Sequence, residues 1–127
     1  MVFAASGILL KNKKVFLIKR SGYTKAFPNC WAFPGGRAEK DETPEMAVIR
    51  EVKEEINIEF KPKKLYYISK WKDRQLYRFL GSFSGNIKLQ DEEIADSNWF
   101  TYEEAIGLDL AFDYRDILEH MHKDNLI

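Results

Sequence analysis

Residues 36–58 read GRAEKDETPEMAVIREVKEEINI, and no other stretch constrains the chain as strongly. Thr43 followed by Pro44 is a helix start. A threonine hydroxyl caps free N–H groups, and proline suits the first helical position because no N–H is needed there. The spacing predicts a helix from about residue 44 to residue 56, with Ile49, Val52 and Ile56 in one stripe facing the core. Glu51, Glu54 and Glu55 fall on another face, on an arc shared with Ala47. Like charges three or four residues apart repel by roughly 0.2–0.5 kcal/mol per pair on an exposed helix. A small residue at 47 lets a neighbour approach that acidic arc. Asn57 follows where the helix should stop. After glycine, asparagine best tolerates the left-handed conformation such a stop requires.

Three carboxylates on one helical face, beside the Gly35-Gly36 pair, form a donor set for a hard divalent cation. Mg²⁺ prefers oxygen ligands and keeps waters and substrate phosphates in its shell. Taken alone, the triplet is also compatible with a solvated acidic surface.

The context decides between these readings. The segment resembles the signature of the Nudix hydrolases: Gly, five residues, Glu, seven residues, Arg-Glu, an apolar residue, any residue, Glu-Glu, any residue, Gly, and an apolar residue. Gly36, Glu42, Arg50, Glu51, Val52, Glu54, Glu55 and Ile58 match it. Asn57 replaces the second glycine, and the preceding WAFPG resembles the family's lead-in. The resemblance implies Mg²⁺ as cofactor, with Mn²⁺ able to substitute, held by Glu54, Glu55 and the Gly35 carbonyl. Glu51 is implied either as a further ligand or as the base acting on the attacking water. Arg50 and Glu42 correspond to a structural pair in which Arg50 orients the carboxylates and Glu42 holds Arg50. Gly36 and Asn57 are implied as structural positions of the motif. A further metal ligand from a downstream loop is expected at Glu92 or Glu93, with Glu93 preferred. Arg20, Trp31 and Phe33 are the substrate-binding candidates, with core packing the preferred reading of the two aromatics. Arg74 and Tyr77 are weaker candidates.

Outward from the signature, VFAASGILL (2–10) and VFLIKR (15–20) read as a β-hairpin around KNKK. Residues 21–35 form a long loop with a short strand at WAF. KLYYISKW (64–71) and RQLYRFLGSF (74–83) read as paired strands, and GNIKLQ as an edge strand. A further strand is expected at Asn98–Phe100. Thr101 with Glu104 resembles a capping box opening a short helix, and Asp113 is placed to cap a last helix. This order predicts an α/β fold with a mixed sheet between helices. In the light of the resemblance it becomes a Nudix-type α/β/α sandwich spanning residues 1–127 as one domain.

The 127 residues include 20 basic and 20 acidic side chains. The chain therefore has no global electrostatic pull on nucleic acid or an anionic membrane. The single Cys30 excludes an internal disulfide. No apolar run is long enough to span a bilayer, and the expectation is a soluble cytoplasmic protein. His120 and His122 face different sides of a helix and make poor co-ligands. The resemblance implies hydrolysis of the pyrophosphate linkage of a nucleoside diphosphate derivative. A (d)NTP, oxidised or non-standard, is the first expectation. ADP-ribose or a nucleotide sugar is second, and a dinucleoside polyphosphate third. A non-catalytic nucleotide sensor is the rival from another class. Family members are often dimers, so a homodimer is compatible.

Overall fold

The computed structural model describes residues 2–127, which fall into two compact units. The first holds the residues up to Leu9 together with Pro34–Asp91, and the second holds Leu10–Phe33 with Glu92–Ile127.

The first unit is built on a four-stranded mixed sheet. Its strands are β1 (Val2–Ile8), β5 (Gly35–Arg37), β6 (Glu59–Trp71) and β7 (Arg74–Ser84), in the order β5-β1-β7-β6. β1 runs parallel to β7 and antiparallel to β5, while β6 and β7 form a long antiparallel pair. The expected hairpin between residues 2–10 and 15–20 is therefore corrected. Ala5 to Leu9 are buried without alternation. Such a run belongs in a strand covered on both faces and paired on both edges, and here both partners come from later in the chain.

Helix α1 (Pro44–Ile56) starts and stops where the sequence placed it. The Thr43 hydroxyl accepts from the Met46 N–H at 3.1 Å. The helix packs closely on β1: a Cβ on Gly7 would stand 3.2 Å from Val52 Cγ2 and 3.3 Å from Phe60 Cζ. The buried face differs from the expected stripe. Ala47, Val48, Val52 and Ile56 are buried, whereas Ile49 is 41% exposed. The acidic arc thus borders the core at Ala47, and Ile49 is turned to solvent.

β6 begins five residues earlier than the alternation suggests. Bulges between Pro62 and Lys64 and between Leu65 and Tyr67 shift the register, which scrambles a period-two pattern. Pro62 is tolerated because β6 is the edge strand. GNIKLQ forms no strand. It runs instead across the end of α1.

The second unit contains β2 (Leu10–Lys11), β3 (Lys14–Arg20), β4 (Trp31–Ala32) and β8 (Ile94–Phe100), all antiparallel, with β3 central. Asn12 and Lys13 both have positive φ and make the two-residue turn between β2 and β3, so the real hairpin is only this short piece. Val15 to Ile18 are buried. Helix α2 (Tyr102–Ile106) opens with the expected capping box between Thr101 and Glu104. Helix α3 (Tyr114–Lys123) buries Tyr114, Ile117, Leu118 and Met121. Asp113 stands at its N-cap, but its side chain makes no capping hydrogen bond.

Candidate active site

The acidic face of α1 lies against β5, and glycines make this approach feasible. A Cβ on Gly36 would be 2.5 Å from Glu51 Oε2. The Glu51 carboxylate therefore occupies the space a side chain at 36 would fill. The neighbouring Gly35 N–H donates to Glu55 Oε1 at 2.7 Å, and Glu55 is 8% exposed. Any Cβ on Gly35 would run into the backbone of Ala5 and Ser6. The two glycines thus place one carboxylate each.

Arg50 organises the rest. Its Nε and Nη2 donate to the two oxygens of Glu42 at 2.7 and 2.8 Å, a bidentate pair. Its Nη1 donates to Glu51 at 3.0 Å and to Glu54 at 2.9 Å, and Nη2 also donates to the Arg37 carbonyl at 3.1 Å. Glu42 accepts in addition from the Glu39 N–H at 2.7 Å. The Arg50 hydrogen bond, then that backbone bond, hold the Glu42 carboxyl down from 4.5 to about 2. Hydrogen bonds to Glu42 first, then to Glu54 and Glu51, raise the Arg50 guanidinium above its ordinary value.

Glu51 shows the opposite effect. Burial raises its carboxyl above the ordinary range, Arg50 opposes this, and the charges of Glu54 and Asp91 reinforce it. Desolvation outweighs the single arginine contact. The crowding at Glu51, Glu54 and Glu55 is therefore only partly relieved by Arg50. Lys53 takes no part, since it pairs with Glu59 at 2.8 Å on the far side.

Among the described residues, no group of three or more carboxylate, histidine or cysteine side chains is already arranged around a metal position. The cause is visible in the contacts: Arg50 Nη1 stands between Glu51 and Glu54, and Glu55 is turned to the Gly35 N–H. The donor chemistry nevertheless fits a hard divalent cation. Carboxylates converge beside a glycine edge, and one of them is destabilised as an anion by its surroundings.

Asn57 adopts φ 62°, ψ 30° and ends the helix in the left-handed conformation. The remaining expected site residues lie in the second unit. Arg20 donates from Nε to the Ala26 carbonyl at 3.0 Å and lies over the Phe112 ring, so it braces the 21–30 loop. Phe33 is 2% exposed with its ring 4.5 Å from that of Tyr114. That burial places the ring in the packing of the second unit. Trp31 is half-buried edge-on to Phe100. Glu92 and Glu93 are both exposed, and the Glu93 carbonyl accepts from the Ser21 N–H at 2.7 Å. The downstream acid whose charge reaches Glu51 is Asp91, directly before the Glu92-Glu93 pair expected from sequence. Back in the first unit, Tyr77 donates to Gln75 at 2.7 Å. The buried Nε of Arg74 has no hydrogen-bond partner among the described residues.

Comparison with known proteins identifies the family. The family model described as NUDIX domain matches residues 1–121. An ADP-ribose pyrophosphatase of Methanocaldococcus jannaschii is 33% identical over 123 residues, covering 91% of this chain and 70% of the relative. An 8-oxo-dGTP diphosphatase of Proteus vulgaris is 43% identical over 56 residues, covering 44% of this chain and 49% of the relative. In three dimensions, a MutT NUDIX hydrolase from Burkholderia pseudomallei superposes with a TM-score of 0.82 at 24% identity, covering 92% of this chain and 95% of that one. The mixed α/β fold is thus shared with a solved relative, and the chain that carries this carboxylate face belongs to the Nudix hydrolase family.

Proposed function

We propose that the chain hydrolyses the pyrophosphate linkage of a nucleoside diphosphate derivative with Mg²⁺, Mn²⁺ being able to replace it. The observation that carries this is the set of Glu51, Glu54 and Glu55 on one helical face, seated against Gly35 and Gly36. These carboxylates, with the Gly35 carbonyl, would hold the cation. When bound, it supplies charge neutralisation at the phosphates and a more acidic attacking water. Arg50 keeps Glu51 and Glu54 aligned, and Glu42 keeps Arg50 in place. A signature glutamate takes the proton as water attacks phosphorus and the bridging P–O bond breaks. The products are a nucleoside monophosphate and the other phosphorylated fragment.

ADP-ribose or a similar nucleotide sugar is the favoured substrate class. A relative whose match covers 91% of this chain is named as an ADP-ribose pyrophosphatase. The (d)NTP reading, the first expectation from sequence, keeps support from the shorter match to an 8-oxo-dGTP diphosphatase.

The test is a panel of ADP-ribose, nucleotide sugars, 8-oxo-dGTP, the ordinary (d)NTPs and dinucleoside polyphosphates, with Mg²⁺ and with Mn²⁺, ranked by kcat/KM. Metal-dependent release of a monophosphate is expected, highest for ADP-ribose. Binding without release from any compound would establish the sensor reading instead. Glu54→Gln and Glu55→Gln should lower kcat by more than the ~10–100-fold typical of an outer-sphere partner. Both should keep the circular dichroism of the parent, because a glutamine oxygen at 55 can still accept from Gly35.

A further inference from the structure

The segment after β7 does something its polar sequence does not announce. A helix leaves its last four carbonyls without intrahelical partners. In α1 these are the carbonyls of Lys53, Glu54, Glu55 and Ile56, and every one is satisfied. The Asn57 N–H donates to Lys53 at 3.0 Å, the ordinary left-handed stop. The other bonds come from residues 88–90. The Lys88 N–H donates to Ile56 at 2.9 Å and the Gln90 N–H to Glu55 at 2.9 Å. The Gln90 side-chain Nε2 donates to Lys53 at 2.9 Å and to Glu54 at 3.2 Å. Asn57 Nδ2 holds the start of the segment through the Asn86 carbonyl at 3.3 Å.

We infer that Gln90 is a positioning residue for the reaction proposed above: its carboxamide and its backbone N–H clamp the main chain of Lys53, Glu54 and Glu55 and so hold two carboxylates of the acidic face in register. The inference rests on that functional reading for its consequence, though not for its geometry. Three features of Gln90 support it. It grips three consecutive residues, two of which carry the candidate metal ligands. Only a donor can do this, because a carbonyl accepts hydrogen bonds and cannot give them. The residue itself is exposed, so its bonds add little to the core and bear mainly on the order of the last helical turn. Fraying there would move Glu54 and Glu55 together while leaving Glu51, one turn earlier and pressed on Gly36, in place.

Gln90→Met keeps length and removes the donor. Gln90→Lys restores donors at a helix end where a cation is favourable. In the metal-free protein, amide hydrogen exchange at residues 54–57 should speed up in Gln90→Met and return toward the parent rate in Gln90→Lys. Titration with Mn²⁺ alone should show half-saturation about tenfold higher for Gln90→Met, the size of effect seen for outer-sphere partners of metal sites. On the best substrate of the panel, kcat should fall with KM unchanged. Unchanged amide exchange at residues 54–57, or Mn²⁺ half-saturation within about twofold of the parent, would overturn the role given to Gln90. A parent protein that hydrolyses nothing would overturn the functional reading and leave the exchange result to decide the clamp.

Discussion

Gly35 and Gly36 are adjacent and meet different demands, so the same substitution should fail in different ways. At Gly36 an added methyl meets the end of a flexible side chain, the Glu51 carboxylate, at 2.5 Å. Gly36→Ala should fold nearly as well as the parent, yet displace Glu51. A misplacement of about 1 Å can lower turnover on the order of a hundredfold, so kcat should drop while the melting temperature barely moves. At Gly35 the methyl meets the backbone of Ala5 and Ser6, which cannot rotate away. Gly35→Ala should destabilise by at least the ~1–3 kcal/mol of a strained, overpacked site, visible first in thermal melts. Glu42 gives a pH signature. Its carboxyl is lowered from 4.5 to about 2 by Arg50. A group with a lowered folded-state value stabilises above its unfolded value and loses that contribution as protons are added. The stability gap between the parent and Glu42→Gln should therefore be constant above about pH 5 and shrink as pH falls toward about 2. Denaturant melts across that window measure it.

At the scale of elements, α1 was legible almost to the residue, and the reasons are local. Thr43 and Pro44 start it, Asn57 stops it, and neither depends on distant contacts. Asn57→Ala should cost about 1–2 kcal/mol, the penalty of a side chain without asparagine's tolerance in the left-handed region. Asn57→Gly should fall within about 0.5 kcal/mol of the parent, gaining conformational ease and losing the Asn86 bond. Equilibrium unfolding of the pair checks this. What the sequence hid was the face of the helix and the role of its neighbours. Ile49 and Ala47 exchange the places expected of them, because a glycine edge admits a carboxylate where an apolar side chain would usually go. GNIKLQ alternates enough to pass for a strand, but its N–H groups serve α1 rather than a sheet. Nothing within six residues signals that. The clue lay in the unmet carbonyls of a helix thirty residues earlier.

At the scale of the whole molecule, the carboxylate face is a liability that a bound cation would relieve. Binding that favours the folded state stabilises it by mass action, about 1.4 kcal/mol at tenfold above Kd. Mg²⁺ should thus raise the melting temperature by several degrees, and Glu54→Gln combined with Glu55→Gln should abolish the rise. No shift at millimolar Mg²⁺ would count against the metal site. The sheet connections were the least legible feature. Apolar patterning shows that a strand exists, but its partner is chosen by segments far along the chain. The chain passes between its two compact units after Leu9, Phe33 and Asp91, so neither unit is continuous in sequence.

The parallel pairing of β1 with β7 has a consequence for synthesis. Val2 to Ile8 find their partners only at Arg74 to Leu80. At a translation speed of about 5–20 residues per second, the first strand leaves the ribosome roughly 4–14 s before its partner does. Through that interval the nascent chain carries an apolar strand with one long edge open, and α1 emerges with its platform incomplete. The acidic face on which catalysis is proposed to depend is therefore assembled late, after the second half of the sheet has been made. Chaperone demand should be concentrated in that window.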